Sequence, residues 1–195
     1  MPMKWYWAIG PEGEPPKRCY VGDSGSLYAK DTSFLWSGTA VVNWHDTHTI
    51  TSASTETDGE PLDVLISHLS VPVFSARLQM AVRSAGINNI QFLPIRVLKS
   101  DQQMLPGFAI ANILSSVNAL DLNSSRFQRF PADSPNFAGE IRSLETPVLL
   151  GQQLTDFHIV RLQQYLFPIF ISDYFRRLFE EGGFTGYQFV EISVA

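Results

Sequence analysis

Residues 75–97 can be laid on residues 172–194 without a gap, at a constant offset of 97 residues, and this internal repeat limits what the chain can fold into. Six of the 23 aligned positions are identical, pairing Ser75 with Ser172, Gly86 with Gly183, Gln91 with Gln188, Phe92 with Phe189, Ile95 with Ile192 and Val97 with Val194. Apolar character is also kept at Leu78/Phe175, Ala81/Leu178, Val82/Phe179 and Ile87/Phe184. A segment that recurs with its apolar spacing intact must bury the same face twice. Each copy reads as strand, helix, strand. The apolar runs Val71-Pro72-Val73-Phe74 and Phe167-Pro168-Ile169-Phe170-Ile171 carry proline near the start, where a missing N–H is tolerable. Ser75 or Ser172 then stands at a helix N-cap, a hydrogen bond worth about 1 kcal/mol. Apolar residues at 78, 81, 82 and 85, and at 175, 178 and 179, form one stripe at helical spacing. Gly86 and Gly183 fall where a left-handed helix end favours glycine, and Asp173 has the sign that suits a helix N-terminus. Strands over residues 90–98 and 187–194 follow.

A helix of about ten residues with one apolar face has to borrow a sheet to cover it, so the two units, about 71–97 and 168–194, are expected in one composite structure. The predicted fold class is α+β, with mostly antiparallel or mixed sheets and few short helices. A period of 97 residues is far from the roughly 20–50 of solenoids, so a stacked array is not implied. The first sixty residues read as short β segments and turns: Gly10-Pro11-Glu12-Gly13-Glu14-Pro15-Pro16 as a loop, Val21-Gly22-Asp23-Ser24-Gly25-Ser26 as a turn, Ala40-Val41-Val42-Asn43-Trp44 and residues 47–52 as strands, and residues 54–61 as a connection. Residues 107–117 are expected to hold a central strand, 123–136 a loop, and 140–144 and 157–162 further strands. The expected organisation is a β- and loop-rich region over residues 1–58, packed on a main body of residues 59–195 that carries the repeat.

Composition narrows the function classes. With 45% hydrophobic and 17% charged residues among 195, the chain has the balance of a folded protein rather than a disordered one. Its apolar stretches, such as residues 108–114 and 165–171, fall far short of the roughly 20 residues that span a bilayer, and no membrane insertion is expected. The N-terminus has no long apolar run of the secretory kind, and Cys19 is the single cysteine, so a reducing cytoplasm is the expected location. A net charge of −5 and a pI near 5.3 leave no general basic surface for phosphate backbones, which argues against nucleic acid and favours a basic protein partner.

The motifs that tempt a catalytic or metal reading are few. His45, Asp46 and His48 are suitable ligand types, but on a strand the two histidines point to opposite faces and no second ligand group lies nearby. Gly22-Asp23-Ser24-Gly25 has the letters that surround a trypsin-like nucleophile, yet only 23 residues precede the serine and the upstream His and Asp have no room. Phosphate-cradling glycine motifs are absent from the sequence, so no nucleotide or other cofactor is expected. His68 and His158 read as structural histidines. Arg176 and Arg177 read as an exposed helix face paired with Glu180 and Glu181, and Asp121 as a turn or cap residue. The aromatics point elsewhere: Trp5, Trp7, Trp36 and Trp44 are concentrated in the first quarter, and tryptophan anchors protein interfaces disproportionately.

The segments Ala109-Ile110-Ala111-Asn112-Ile113-Leu114 and Val117-Asn118-Ala119-Leu120-Asp121, with the closing run Phe170-Ile171-Ser172-Asp173 through Phe184-Thr185-Gly186-Tyr187-Gln188-Phe189, resemble the Imm11 family of bacterial immunity proteins, a Myxococcus-type domain formerly of unknown function. The resemblance covers about residues 58–192. It implies an immunity protein of a polymorphic toxin system, which binds a cognate toxin encoded by an adjacent gene and is not an enzyme. Asp121, in the Leu-Asp motif, and Gly183 and Gly186 take structural roles under it, as Ser172 does by its capping position. Two other readings stand beside this one: a scaffold that binds a protein other than a toxin, and a hydrolase around His45, Asp46 and His48. A homodimer through an unpaired sheet edge is left open.

Overall fold

Each helix forms where a capping serine precedes an amphipathic nine-residue run. The computed structural model describes residues 3–10, 21–23, 33–45, 47–52, 61–67, 70–99 and 101–195. In chain order its strands are β1 (Trp5–Ile9), β2 (Val21–Asp23), β3 (Thr49–Ser52), β4 (Val64–Ser67), β5 (Pro72–Phe74), β6 (Ile90–Pro94), β7 (Arg96–Leu98), β8 (Met104–Leu105), β9 (Ala109–Ile113), β10 (Ser116–Val117), β11 (Arg126–Arg129), β12 (Ile141–Thr146), β13 (Val148–Leu149), β14 (Ile159–Leu162), β15 (Tyr165–Ser172) and β16 (Gln188–Val194). The two α-helices among the described residues are α1 (Ala76–Ser84), between β5 and β6, and α2 (Asp173–Glu181), between β15 and β16. The fold is α+β with mixed and antiparallel sheets.

Ser75 accepts from the Leu78 N–H and Ser172 from the Phe175 N–H, so both helices start on the same cap. Leu78 and Val82 on α1, and Phe175 and Phe179 on α2, are buried together in one cluster with strand residues of both sheets, among them Tyr6, Val64, Phe74, Ile113 and Ile171. The helices also exchange equivalent bonds. Arg77, near the start of α1, donates to the Gly182 carbonyl at the end of α2 (3.2 Å). Tyr174, its counterpart 97 residues on, donates to the Ala85 carbonyl at the end of α1 (3.2 Å). The helices therefore run antiparallel, related by an approximate two-fold axis between them. Gly86 (φ 73°) and Gly183 (φ 59°) both take the left-handed conformation beyond the helix ends.

The strands obey the same relation. β5 and β6 both pair antiparallel with β9, which lies between them, and β15 and β16 both pair antiparallel with β1. β4 and β14 form antiparallel hairpins with β5 and β15. The middle strand of the first unit thus follows its helix in sequence, whereas that of the second comes from the N-terminal end of the chain. The six-stranded sheet has the order β10-β14-β15-β1-β16-β13, the eight-stranded one β6-β9-β5-β4-β2-β3-β7-β8. Because β6, at one edge, and β7, next to the other edge, are separated by Ile95 alone, one bent run joins the two sides of the eight-stranded sheet, which curls around Ile50, Leu65, Val73, Leu93, Ile95, Val97 and Ile110. A third cluster around Trp5, Leu149, Val160, Leu162 and Phe170 covers the other face of the six-stranded sheet.

Several segments differ from the sequence expectation, each for a local reason. Residues 40–44 form no strand: the Gln91 side chain donates to the Val41 carbonyl (2.9 Å) and accepts from its N–H (2.8 Å), and Asn112 donates to the Thr39 carbonyl (3.0 Å), so side-chain amides replace a ladder. Val21–Asp23, taken for a turn, pairs with β3 and β4. Within the stretch expected as loop, β11 pairs with β12 through two register shifts. Cys19, Ser24, Asp46, His68 and most of residues 54–61 lie outside the described residues.

Candidate protein-binding face

The alternation of β15 breaks at its beginning. Pro168 to Ser172 are all buried, but Phe167 is 50% exposed. The hairpin that presents it is held from behind, where Gln163 donates to the Ser116 carbonyl (3.0 Å) and Gln164 to the Leu120 carbonyl (3.2 Å). Around Phe167 the rings of Tyr165 and Trp36 stand at centroid distances of 5.5 Å each. Across from them, the loop joining β11 to β12 is closed by the Phe130 N–H donating to the Glu140 carbonyl (2.9 Å), and it stacks Phe130 on Phe137 at 5.2 Å. Phe137 is 49% exposed and Leu122 42%. Between the two hairpins lies a cleft of about 750 Å³.

A second cleft, of about 380 Å³, opens on the other side of Tyr165 and Phe167 and is walled by Trp7, Pro72 and Leu144 among others. The two clefts share those aromatics and make one continuous face. Contiguous exposed apolar surface of this kind marks interaction sites on folded proteins, and aromatic and arginine residues supply most interface anchors. Among the described residues that line the larger cleft, Arg129 and Arg142 stand against a single acidic side chain, Glu140. Arg129 is held over Phe127 at 4.9 Å. The face is thus locally cationic although the chain as a whole is acidic; net charge does not assign a face.

Trp7 and Trp36 therefore belong to this face, while the other two nominated tryptophans do not. Trp5 is 1% exposed and fills the core, out of a partner's reach. Trp44 donates its indole N–H to the Pro94 carbonyl (2.7 Å) and packs on His48 at 4.6 Å. Tyr165, Phe167, Phe130, Phe137, Arg129 and Arg142 were not singled out in the sequence. The available signal was Phe167 at the head of an apolar strand and Phe137 in a polar loop.

The residues considered for chemistry are dispersed. His45 is exposed, off any strand, and no three His, Cys, Asp or Glu side chains among the described residues come together as a metal site. Arg176 bonds Asp173 (2.8 Å) as well as Glu180, and Arg177 pairs with Asp173 (3.1 Å), so Asp173 takes the part expected of Glu181. These bonds, Arg176's first among them, hold the Asp173 carboxyl below its usual range. The Asp121 carboxylate accepts from the Asn123 (2.9 Å) and Ser124 (3.3 Å) N–H groups, closing a turn.

One pair looks like a nucleophile and its base: Ser172 Oγ lies 2.9 Å from His158 Nδ1. Ser172 has no exposed surface, and its Oγ already accepts from the Phe175 N–H. In the first unit the equivalent serine, Ser75, bonds to Asp63 instead (2.7 Å), so the position serves to cap a helix in both units. Burial lowers the His158 pKa below its ordinary value, favouring the neutral ring.

The model of the Imm11 immunity protein family matches residues 5–194. The chain belongs to the Imm11 immunity protein family. The match takes in β1 and the segment carrying Trp36 and Trp44, beyond the stretch that carried the sequence resemblance. A search of the curated proteins finds no match. In this Imm11 protein no helix among the described residues is long and apolar enough to cross a membrane.

Proposed function

We propose that this Imm11 protein neutralises a cognate bacterial toxin by direct, non-catalytic binding, and that the aromatic face around Phe167 is where the toxin docks. Membership of an immunity family across residues 5–194 carries the reading, since such a family implies a toxin as partner. The face supports it: half-exposed Phe137 and Phe167, flanked by Trp7, Trp36, Arg129 and Arg142, offer the residue types that dominate binding energy. A stable complex buries roughly 800 Å² per partner, so the toxin would have to cover both clefts and the hairpins between them. The toxin is expected from the adjacent gene of a polymorphic toxin system, with the complex forming in the cytoplasm of the producing bacterium. Co-expression with that gene product, scoring growth rescue and co-purification together, tests the proposal. Neither rescue nor complex, with a toxic neighbour, would move the weight to a scaffold that binds another protein.

A further inference from the structure

Arg161, on β14, has no exposed surface. Its guanidinium donates to three backbone carbonyls, those of Leu166 (2.6 Å), Phe167 (3.0 Å) and Ser70 (3.1 Å). Among the described residues its Nε has no partner, and it takes part in none of the ion pairs. Buried charges are normally paired, because leaving water without a counter-charge is costly. Burial pushes this guanidinium down to about 10, so it is still a cation at neutral pH.

Tyr187 carries a second unanswered group. Its hydroxyl is closed off from solvent without a hydrogen-bond partner among the described residues, and burial raises its pKa, which keeps the proton on the oxygen as a donor. Tyr187 lines the smaller cleft, as do Ser70 and Phe167, whose carbonyls hold the guanidinium. Among the described residues, no acidic or basic side chain lines that cleft. Its apolar walls lower the local dielectric and strengthen the pull of the arginine behind them on any anion that enters.

We propose that this cleft receives a glutamate or aspartate side chain of the bound toxin, whose carboxylate neutralises Arg161 and, once the Tyr187 ring has shifted to bring its closed-off hydroxyl to the cleft, accepts the Tyr187 O–H. The inference rests on the toxin-binding reading above and names the anchor that reading lacks. The stem of the acidic residue lies against Trp7 and Pro168, and Arg129 and Arg142 in the adjoining larger cleft favour the same sign of partner.

Tyr187→Phe tests it by removing one oxygen while keeping the ring among Phe74, Phe179 and Phe189. Because the hydroxyl is unpartnered in the free protein, the variant is expected to be as stable as the parent or slightly more so. Its affinity for the toxin is expected to fall about ten- to a hundredfold, as for a lost hydrogen bond to a charged group. Phe167→Ala is measured beside it. Affinity unchanged in Tyr187→Phe but reduced in Phe167→Ala overturns the carboxylate pocket and leaves the face; affinity unchanged in both overturns the face itself. A measurement on the unaltered protein needs no variant to fold: 3-phenylpropionate at millimolar concentration should compete with the toxin, and 3-phenylpropan-1-ol should not. Equal competition by acid and alcohol, or none by either, counts against the proposal.

Discussion

Replacing Asp63 should loosen the joint between the two repeat units. Its carboxylate accepts from Ser75 Oγ (2.7 Å) and Arg77 Nε (2.7 Å) in the first unit, and from the Thr185 N–H (3.0 Å) and Oγ (3.2 Å) in the second. The Asp63 side chain is 6% exposed and that of Arg77 52%. In Asp63→Ala the Thr185 N–H and the Ser75 hydroxyl lose their partner in a part-buried setting, at about 1–2 kcal/mol each. Arg77 can turn to water, so its ion pair adds only about 0.5–1 kcal/mol. The expected loss is about 3–4 kcal/mol, read as a lower urea midpoint at unchanged m-value by tryptophan fluorescence. Asp63→Asn, which keeps the shape, should lose about 2 kcal/mol. The pH dependence supplies a second reading. Burial alone would raise the Asp63 pKa, but the bonds from Arg77, Ser75 and Thr185 outweigh it and the carboxyl titrates below its ordinary 3.8. The unfolded chain then binds the proton first, so this stabilisation is complete above the ordinary value and is lost as pH falls through the folded one. That component should vanish in Asp63→Asn. A loss under about 1 kcal/mol in Asp63→Ala, with an unaltered acid limb, would refute the reasoning.

Gly186 has φ +109°, and a Cβ there would stand 2.3 Å from the Val64 carbonyl oxygen, whereas at Gly139 (φ +75°) it would meet nothing within 4 Å. Gly186→Ala is therefore expected to cost about 3 kcal/mol or more, or to yield insoluble protein, against about 1 kcal/mol for Gly139→Ala; equal thermal shifts would contradict this. His158, held neutral by burial, should make stability decline as pH falls from about 6.5 through its lower folded pKa, because the unfolded chain takes up the proton first. His158→Gln should remove that slope, and a slope unchanged in the variant would assign it to another group.

The elements legible in the sequence were those where local signals agree. At residues 72–84 and 168–181 an apolar run, a capping serine and a 3.6-residue stripe coincide, and β9 stood out within the mostly apolar run of residues 107–117. Sheet assembly was not legible, because pairing depends on distant partners: nothing local in Trp5–Ile9 shows that it enters between β15 and β16. Residues 40–44 have β propensity, but the amides of Gln91 and Asn112 satisfy that backbone, a tertiary effect that no window of sequence contains. The candidate face was half legible. Tryptophan enrichment pointed to Trp7 and Trp36, but Trp5 faces the core two positions from Trp7, and the exposure of Phe137 and Phe167 follows from how two hairpins approach each other.

The most direct test of toxin binding through the aromatic face is the affinity of purified toxin for the unaltered protein and for Phe167→Ala, with the thermal midpoint of each variant measured alongside. Phe167 is half exposed, so its loss should leave stability within about 0.5–1 kcal/mol. The expected result is a 1:1 complex that protects growth, weakened at least thirtyfold by Phe167→Ala, as for an interface anchor worth about 2 kcal/mol. A tight complex indifferent to Phe167 and Phe137 would place the toxin elsewhere on the surface, and a verified toxin that neither binds nor is neutralised would contradict the immunity reading itself.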